Sequence, residues 1–457
     1  MRIRSLKFPE LAGTLIVAGL AGSAGAQTAT PSATPVPALK IWGNARLRYE
    51  GIDDQVRPGF DATDDIVSLR SILGTEWRKG ALRLGGELYD SRIWDAGPGS
   101  AVSANEVNTL ELVQAWAALD IDWPFGTGSK ATIQAGRFTL NLGSRRLVAA
   151  DDYRNTTNGY TGFRTDVRTR LGNLTAIHVS PQVRLPDRLS DVLDNRRATD
   201  RADDELVLWG GVASRPLGTG APTAELSYFH LEEDDGPGRA TRNRSLDTFG
   251  GRLIRDPAPG HLDYEIEAFA QTGTIRASTA PAATELDVSA NFIHAEVGYS
   301  RADPWKTHVS LEYDRASGDG PGGDYGRFDT LYGMRRADLG PAGLYNAIGR
   351  ANIEAVGLRI EGSPNARLDG FVTVRGLWLA EPTDAFSTSG VRDATGRSGD
   401  FAGTQVDGRV RYWLIPNRAR VEVNAVQLFK GRSLTDAPNA PRTGDTTYVS
   451  TALTLSF

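Results

Sequence analysis

The sequence predicts an all-β protein: a transmembrane antiparallel up-and-down β-barrel of about 18 strands, with long extracellular loops and short periplasmic turns. Three observations lead to this fold class. The chain begins with an export signal, its apolar residues alternate with polar ones at a period of two, and its strand-like segments are joined alternately by short and long connections.

The N-terminus has the order of a secretory signal peptide. Basic residues precede the apolar run Leu11–Leu20, and small residues then end in Ala24-Gly25-Ala26. The run is about half of the roughly 20 residues that a membrane-spanning helix needs. We therefore expect a signal peptide over residues 1–26, a Pro/Thr/Ala-rich leader over 27–38 and one barrel over 39–457.

Composition excludes several classes of protein. The 457-residue chain has a formal net charge of -5, which gives no reason to expect a nucleic-acid partner. It has no cysteine, so no disulfide supports this exported chain. Beyond the signal no apolar run approaches 18 residues, which argues against helical membrane spans. A mean hydropathy of -0.32 is compatible with a barrel in which every second residue faces water.

The last strand shows the period-two pattern most clearly. In Thr447–Phe457, Val449, Leu453 and Leu455 fall on one face, and Ser450 with other small or polar residues falls on the opposite face. A terminal aromatic after such a strand is typical of outer-membrane barrels, and we expect the barrel-assembly machinery to recognise it. Similar alternation marks about eighteen segments, among them Lys40–Tyr49, Ile66–Trp77, Leu82–Tyr89, Leu174–Ser180, Ala224–Leu231, Ala366–Leu379 and Val406–Trp413.

The connections between these segments fall into two classes. Short turns rich in Gly, Pro, Asn and Asp are predicted at Gly80, Gly172-Asn173, Pro257–Gly260, Pro364-Asn365 and Pro416-Asn417. Long polar loops are predicted at Leu185–Asp204, Glu232–Ser245, Ser317–Gly349 and Glu381–Gly403. Loops of this length would be unusual in a compact soluble domain but are ordinary at one end of an outer-membrane barrel.

If the apolar faces meet lipid, the alternate faces line a lumen, and these faces are rich in arginine. Of 51 basic residues only six are lysine, which reflects either genomic composition or a use of guanidinium groups to bind carboxylates. Alternatively, these charges neutralise one another and brace the wall. The pore-lining candidates are Arg46, Arg48, Arg70, Arg137, Arg145, Arg146, Asp152, Arg164, Asp166, Arg168, Arg375, Asp407, Arg409 and Arg411.

The segment Gly136–Arg164 carries a recognisable order: Gly136-Arg137, then Gly143, then Arg146-Leu147-Val148, then Asp152 and Asn155. It resembles the alginate-export family of outer-membrane barrels, although Tyr160–Arg164 lacks the aspartate of the family's closing F-D-G-x-R. Further agreement lies at Glu312–Asp319, Phe328–Gly333, Gly349–Ile353, Asp407–Arg411 and Phe429–Gly431. The resemblance implies an 18-stranded barrel with an arginine-lined conduit for an anionic polysaccharide, gated by loops. It does not fix the substrate.

Our leading hypothesis is a passive outer-membrane channel for an anionic polysaccharide or uronate-type oligosaccharide, with the lipid bilayer, the saccharide and periplasmic export proteins as partners. A general anion-preferring porin for nutrient uptake is the alternative. An outer-membrane barrel enzyme is a further one, for which Glu265 and Glu267 would be same-face carboxylates. The five histidines lie in no G-x-S-x-G or H-E-x-x-H motif, and His294 and His308 are interpreted as ordinary wall residues.

Two local predictions complete the sequence analysis. The glycine-rich stretch Ser317–Asp324 contains Asp319 and Asp324 and could hold Ca²⁺, but it lacks the EF-hand order, so we interpret it as a loop; no other cofactor is predicted. In Gly143–Asn155 we expect Arg145 or Arg146 to pair with Asp151 or Asp152. This pairing would order a segment that folds against the lumen and would leave the other guanidinium free for a passing anion.

Overall fold

Eighteen antiparallel strands account for almost all of the regular structure in the computed structural model, which describes residues 38–236, 238–335 and 338–457. The predicted signal peptide and leader lie outside these residues, apart from Ala38. The strands are β1 Leu39–Asp53, β2 Asp64–Lys79, β3 Leu82–Trp94, β4 Asn108–Asp122, β5 Lys130–Phe138, β6 Tyr160–Arg168, β7 Asn173–Pro181, β8 Leu206–Pro216, β9 Thr223–Glu233, β10 Ser245–Arg255, β11 Leu262–Arg276, β12 Glu285–Ser300, β13 His308–Ala316, β14 Ile353–Asn365, β15 Leu368–Trp378, β16 Phe401–Ile415, β17 Ala419–Lys430 and β18 Thr446–Ser456.

The sheet closes on itself. Each strand pairs with its sequence neighbours, and β1 pairs with both β2 and β18, in a register that runs from Asn44 opposite Ser456 to Asp53 opposite Thr447. Closure leaves no sheet edge with unpaired backbone groups, which is the condition for a sheet to cross lipid. The predicted barrel and its strand number are therefore confirmed.

The two faces of the wall have opposite chemistry. Leu47, Leu73 and Leu311 on the outer face are 45%, 51% and 52% exposed, as expected of side chains that meet lipid. Inward-facing neighbours such as Arg48 and Glu50 are almost completely buried. The period-two pattern in the sequence thus assigns each side chain to lipid or to lumen.

The connections separate by length onto the two ends of the barrel. The end with short connections includes the turns at 80–81 and 366–367, and the other end carries loops such as 182–205 and 379–400. Pro364 and Asn365, predicted as a turn, are instead the last residues of β14, because the register shifts there and the strand continues through them. Exposed aromatic residues mark the short-turn end, as in the interfacial girdles of membrane barrels: Trp123, Phe125 and Trp305.

Two of the long connections fold into the lumen. We call them the β5–β6 loop, residues 139–159, and the β13–β14 loop, residues 317–352, of which 336 and 337 are not described. Leu140 and Val148 in the first loop and Leu339 and Leu344 in the second are fully buried. The core of the molecule therefore lies between the wall and these two loops.

The loops also contact each other. The Ala149 N–H donates to the Tyr332 carbonyl at 3.1 Å, and the Tyr332 N–H donates to the Leu147 carbonyl at 2.9 Å. Phe328 packs its ring against that of Phe292 on the wall, with centroids 5.6 Å apart. In the described part of the chain the helices are short, Leu189–Leu193 and Arg432–Thr435, and none is long and apolar enough to cross a membrane.

Replacing Leu73 by arginine tests the assignment of the outer face. Leu73 lies near the middle of β2, where a guanidinium would face hydrocarbon, so Leu73→Arg is expected to lower the free energy of unfolding in lipid by about 2–4 kcal/mol. Denaturant titration of the barrel refolded into vesicles measures this. The control is Leu82→Arg at the short-turn end, where the loss falls to about 0–1 kcal/mol. Equal losses at the two positions would contradict the assignment.

Candidate functional site

Arginines of the wall hold the β5–β6 loop by its backbone. Arg46 Nη2 donates to the Arg154 carbonyl at 2.6 Å, and Arg48 Nη1 donates to the Tyr153 carbonyl at 2.7 Å. Arg70 Nη1 donates to the Asp152 carbonyl at 3.1 Å and also contacts the Arg154 carbonyl at 3.2 Å. Charged donors make strong hydrogen bonds to carbonyl oxygens away from water. Three predicted pore-lining arginines thus support a loop.

The β13–β14 loop is held in a similar way by side chains of β15, β16 and β1. Arg375 Nη1 and Gln405 Nε2 donate to the Leu339 carbonyl at 2.7 and 2.9 Å. Glu50 Oε2 accepts the Leu344 N–H at 3.2 Å. Arg375, on β15, also pairs with Glu312 on β13 and with Asp407 on β16, so the same guanidinium braces the wall and the loop.

Arg146 is the junction between loops and wall. Its guanidinium contacts Glu265 and lies 2.7 Å from Glu267, both on β11, and it forms two bonds of 2.9 Å to Asp338 of the β13–β14 loop. Asp338 also pairs with Arg350. Burial acts to lower the pKa of Arg146, but these carboxylates outweigh it and hold the pKa well above its ordinary value. Burial acts to raise the pKa of Asp338, and the two guanidinium groups outweigh it and hold that pKa well below its ordinary value.

The predicted pairing within Gly143–Asn155 is wrong. Asp151 pairs with Arg154 at 3.1 Å, and Arg146 pairs with β11 and Asp338. The segment between Arg146 and Asp151 runs alongside Tyr332 as extended chain, and five extended residues span roughly 16 Å. The Arg145 side chain makes no hydrogen bond or ion pair with any residue that the structure describes. The stretch nevertheless folds against the lumen as expected.

The other predicted residues lie on the inner face, mostly in pairs. Arg137 pairs with Glu111 at 2.7 Å, and Arg164 pairs with Asp166 at 2.7 Å. Arg409 and Arg411 share Asp369, at 3.3 and 2.8 Å. Arg168 is exposed at the last position of β6, and the Asp152 side chain is exposed while its carbonyl is bound. The interpretation that many lumen charges neutralise one another is therefore correct for these pairs.

The structure brings together an arginine cluster that the sequence analysis does not include. Arg154, Arg184 and Arg335 come from three different loops and line a polar cavity of about 240 Å³. Arg154 Nη1 and Arg184 Nη2 both donate to Asn105 Oδ1, at 2.8 and 2.7 Å, and the same two side chains share Asn158 Oδ1. Two guanidinium groups are thus fixed side by side by two amide oxygens, and Arg335, which also lines the cavity, is bound to Asn346.

This cluster carries more positive than negative charge. Among the charged residues that line the cavity there are three arginines and one carboxylate, Asp151. Burial, and then the repulsion of Arg154, lower the pKa values of Arg184 and Arg335 from the ordinary arginine value. An arginine this basic still stays protonated at neutral pH. The cavity is therefore a site where an anion would be stabilised.

Nearby carboxyl groups compensate this charge only in part. Burial raises the pKa of Glu106 to about 7, and the neighbouring Glu50 adds to the rise. Burial likewise raises the pKa of Asp200 to about 6. Both residues lie in loops, and their negative charges act on the Arg184 guanidinium and raise its pKa. As a result, the field at the cavity becomes more positive as the pH falls towards 6.

No pattern in the sequence marks this cluster. Arg154, Arg184 and Arg335 lie in loops without periodicity, and only the folding of those loops brings them together. The density of charge in Gly143–Asn155 is visible in the sequence, and Arg154 belongs to that stretch. Alternation at a period of two, however, identifies residues of the wall and gives no information on loops. In the proposed calcium stretch, Asp319 Oδ1 accepts the Gly326 N–H at 3.0 Å, and the described residues bring no group of metal ligands together there.

A closed 18-stranded antiparallel barrel with a charged lumen defines an outer-membrane channel protein. The sequence matches the alginate export family over residues 38–446, so the chain belongs to that family. The fold and the family are those of channels, and the protein resides in the bacterial outer membrane. No curated protein sequence matches the chain.

Solved structures of Pseudomonas aeruginosa outer-membrane porins share the fold. OccK8 (OprE) is 11% identical, with a TM-score of 0.58 over 92% of this chain and 98% of that one. OpdQ is 12% identical, with a TM-score of 0.58 over 92% and 99%. The outer membrane protein OpdK is 13% identical, with a TM-score of 0.56 over 92% and 99%. At these identities the likeness concerns the fold.

Removal of the Arg146 guanidinium is expected to destabilise the barrel strongly. Arg146→Met leaves Glu265, Glu267 and Asp338 without their shared cation, and breaking a buried ion-pair network in this way costs about 3–5 kcal/mol. Denaturant unfolding in detergent measures the change. The matched control is the neighbouring Arg145→Met, which removes no described interaction and should lie within about 0.5 kcal/mol of wild type. If Arg146→Met lowers the free energy of unfolding no more than Arg145→Met does, Arg146 does not join the loops to the wall.

Proposed function

We propose that this protein is a passive outer-membrane channel for an anionic saccharide of the uronate type, and that the arginine cluster is its selective constriction. The observation that carries the proposal is the excess of guanidinium groups at the cavity where four loops meet: Arg154, Arg184 and Arg335 face one carboxylate, Asp151. A uronate offers a carboxylate at each sugar, and guanidinium groups bind carboxylates through paired N–H donors.

The hydrogen bonds already made by the cluster arginines favour weak binding of a ligand, as transport requires. Arg154 and Arg184 each already donate to two amide oxygens, so each keeps only part of its donor capacity for a ligand. A channel needs binding strong enough to admit the ion and weak enough to release it. Several partly occupied guanidinium groups meet this requirement better than one free arginine would.

The wall arginines complete the proposed path. In this proposal the long loops face the exterior, and Arg164, Arg168, Arg409 and Arg411 line the wider lumen towards the periplasmic turns. Their charges are shared with Asp166 and Asp369, so each would contribute a weak contact. Arg46, Arg48, Arg70 and Arg375 would act indirectly, by holding the loops that carry the constriction.

A general anion-preferring porin is the second candidate, and the same cluster would serve it. Single-channel current separates the two. A uronate-type channel is blocked by oligouronates at concentrations at which a neutral oligosaccharide of equal length has no effect. If small anions pass and oligouronates neither block nor permeate, the general porin is the correct function.

Loss of two cluster arginines should strongly reduce the preference for anions. In planar bilayers under a salt gradient, the double variant Arg184→Gln, Arg335→Gln is expected to lower the anion-over-cation permeability ratio on the order of tenfold, because it removes most of the positive field at the cavity. Arg432→Gln, an exposed arginine outside the cavity, is the matched control and should leave the ratio unchanged. A cation-selective wild-type pore, or one indifferent to the double variant, would disprove the constriction.

The preference for anions should also increase as the pH falls from 8 to 5. Below their pKa values of about 7 and about 6, Glu106 and Asp200 become neutral while the arginines stay charged. Reversal potentials measured across this range test the prediction. The variant Glu106→Gln, Asp200→Asn should show at pH 8 the selectivity that the wild type reaches at pH 5.

The control for this experiment is Asp393→Asn. Hydrogen bonds from Thr395 and Ser398 hold the pKa of Asp393 well below its ordinary value, so this carboxylate stays ionised throughout the range. Its substitution should leave the slope of selectivity against pH unchanged. A slope that persists in the Glu106→Gln, Asp200→Asn variant would assign the effect to other titratable groups of the lumen and would contradict the prediction.

A further inference from the structure

A histidine and two carboxylates meet on the inner wall at the short-turn end of the barrel, the end opposite the one from which the loops of the arginine cluster arise. Asp263 is the second residue of β11, His308 is the first residue of β13, and Glu296 lies on β12 between them. One ligand atom from each side chain lies within 4.8 Å of the others. Three adjacent strands thus present three metal-ligating groups at one place.

The site is enclosed and built for close approach. Asp263 and His308 are only 3% and 6% exposed, and His308 Nε2 lies 2.9 Å from Asp263 Oδ1. Gly298 on β12 lies directly beneath them. A Cβ atom at that position would stand 2.3 Å from His308 Nε2 and 2.4 Å from Asp263 Oδ1, so the two side chains can meet only because residue 298 has no side chain.

The charge of this group is not balanced by arginine or lysine. Glu265 and Glu312, the residues opposite Glu296 on β11 and β13, are paired with Arg252 and Arg375. Within the described residues, neither Glu296 nor Asp263 has an arginine or lysine partner, and His308 is the only basic residue that pairs with Asp263. Glu296 and Asp263 thus bring two carboxylates close to one imidazole, and a bound divalent cation would balance their charge.

The outer nitrogen of the histidine points to a further carboxylate. His308 Nδ1 makes no hydrogen bond among the described residues and lies 3.6 Å from Glu361 Oε1 on β14. In metal sites, the ring nitrogen that does not bind the ion commonly donates to a carboxylate, which fixes the tautomer and orients the ring. In this structure Nε2 of His308 faces Asp263 and Nδ1 faces Glu361, which is that arrangement.

We propose that Asp263, Glu296 and His308 form a binding site for a divalent transition-metal ion, with Zn²⁺ as the best match. One imidazole and two carboxylates supply three ligands and leave the fourth position of a tetrahedral ion to water. Ligand atoms on one Zn²⁺ stand roughly 3.4 Å apart because each bond is about 2.0–2.2 Å long. His308 Nε2 and Asp263 Oδ1, now 2.9 Å apart, would separate slightly, and any wider gap in the group, at most 4.8 Å, would close. The imidazole disfavours Ca²⁺ and Mg²⁺, which prefer oxygen ligands.

Calorimetric titration of Zn²⁺ into the EDTA-treated full barrel in detergent tests the site. We expect one equivalent bound per chain, with Ca²⁺ and Mg²⁺ failing to compete at equal concentration. Asp263→Asn, Glu296→Gln and His308→Gln should each weaken binding by at least tenfold, and Glu361→Gln by roughly 10–100-fold through the orientation of His308. Gly298→Ala should also weaken binding, because its Cβ displaces the ligands.

The neighbouring pair His294–Asp314 is the matched control. It is a buried histidine–carboxylate pair on the same strands, with Nδ1 to Oδ1 at 2.8 Å, but it belongs to no described group of three ligands. His294→Gln should still bind one equivalent of zinc per chain, and heat-dependent mobility on gels confirms that each variant is folded. Absence of stoichiometric binding, or binding that survives Asp263→Asn and Glu296→Gln in folded barrels, would overturn the proposal.

Discussion

The whole structure depends on the pairing of backbone groups around a closed sheet. In hydrocarbon an unpaired N–H or C=O costs several kcal/mol, so the chain can cross the bilayer as strands only if its first and last strands meet. Here β1 meets β18 over ten residue pairs, and the terminal Phe457 bonds back to Gly43. Closure imposes the period of two, and that period in turn sends every second side chain into the lumen.

A lumen enclosed by eighteen strands is too wide for side chains from the wall to fill. The β5–β6 and β13–β14 loops occupy it, and their buried leucines and aromatic rings supply a core that a hollow barrel lacks. Charges on the wall then have two uses. Pairs such as Arg375 with Asp407 balance one another across strands, and the same arginine reaches the carbonyl of a loop. Stability of the wall and position of the loops are therefore carried by the same side chains.

The sequence predicts the wall well and the loops poorly, for a physical reason. Along Leu262–Glu267 the alternation assigns each side chain to its correct face, because successive residues face lipid and lumen in turn and differ in polarity accordingly. The strand number and the family follow from the same regularity and from the motifs around Gly136–Asn155.

Contacts inside the lumen follow no such rule. Arg146 finds its partner Glu267 at a separation of 121 residues, whereas the local choice of Asp151 or Asp152 is wrong. Arg154, Arg184 and Arg335 meet because three loops converge. Loop sequences have no periodicity from which such contacts could be predicted. Separation along the chain therefore predicts which residues share a face of a strand, but it does not predict which residues meet inside the lumen.

The way in which the β5–β6 loop is held has a consequence for how such channels diversify. Arg46, Arg48 and Arg70 bind carbonyl oxygens of residues 152–154, and every amino acid presents the same carbonyl. A substitution at Asp152 or Arg154 can therefore change the charge near the constriction while these backbone hydrogen bonds remain; Tyr153 differs, because its hydroxyl also contacts Tyr448 of the wall. The wall fixes the position of the loop backbone, and an exposed loop side chain such as Asp152 can change without altering these hydrogen bonds.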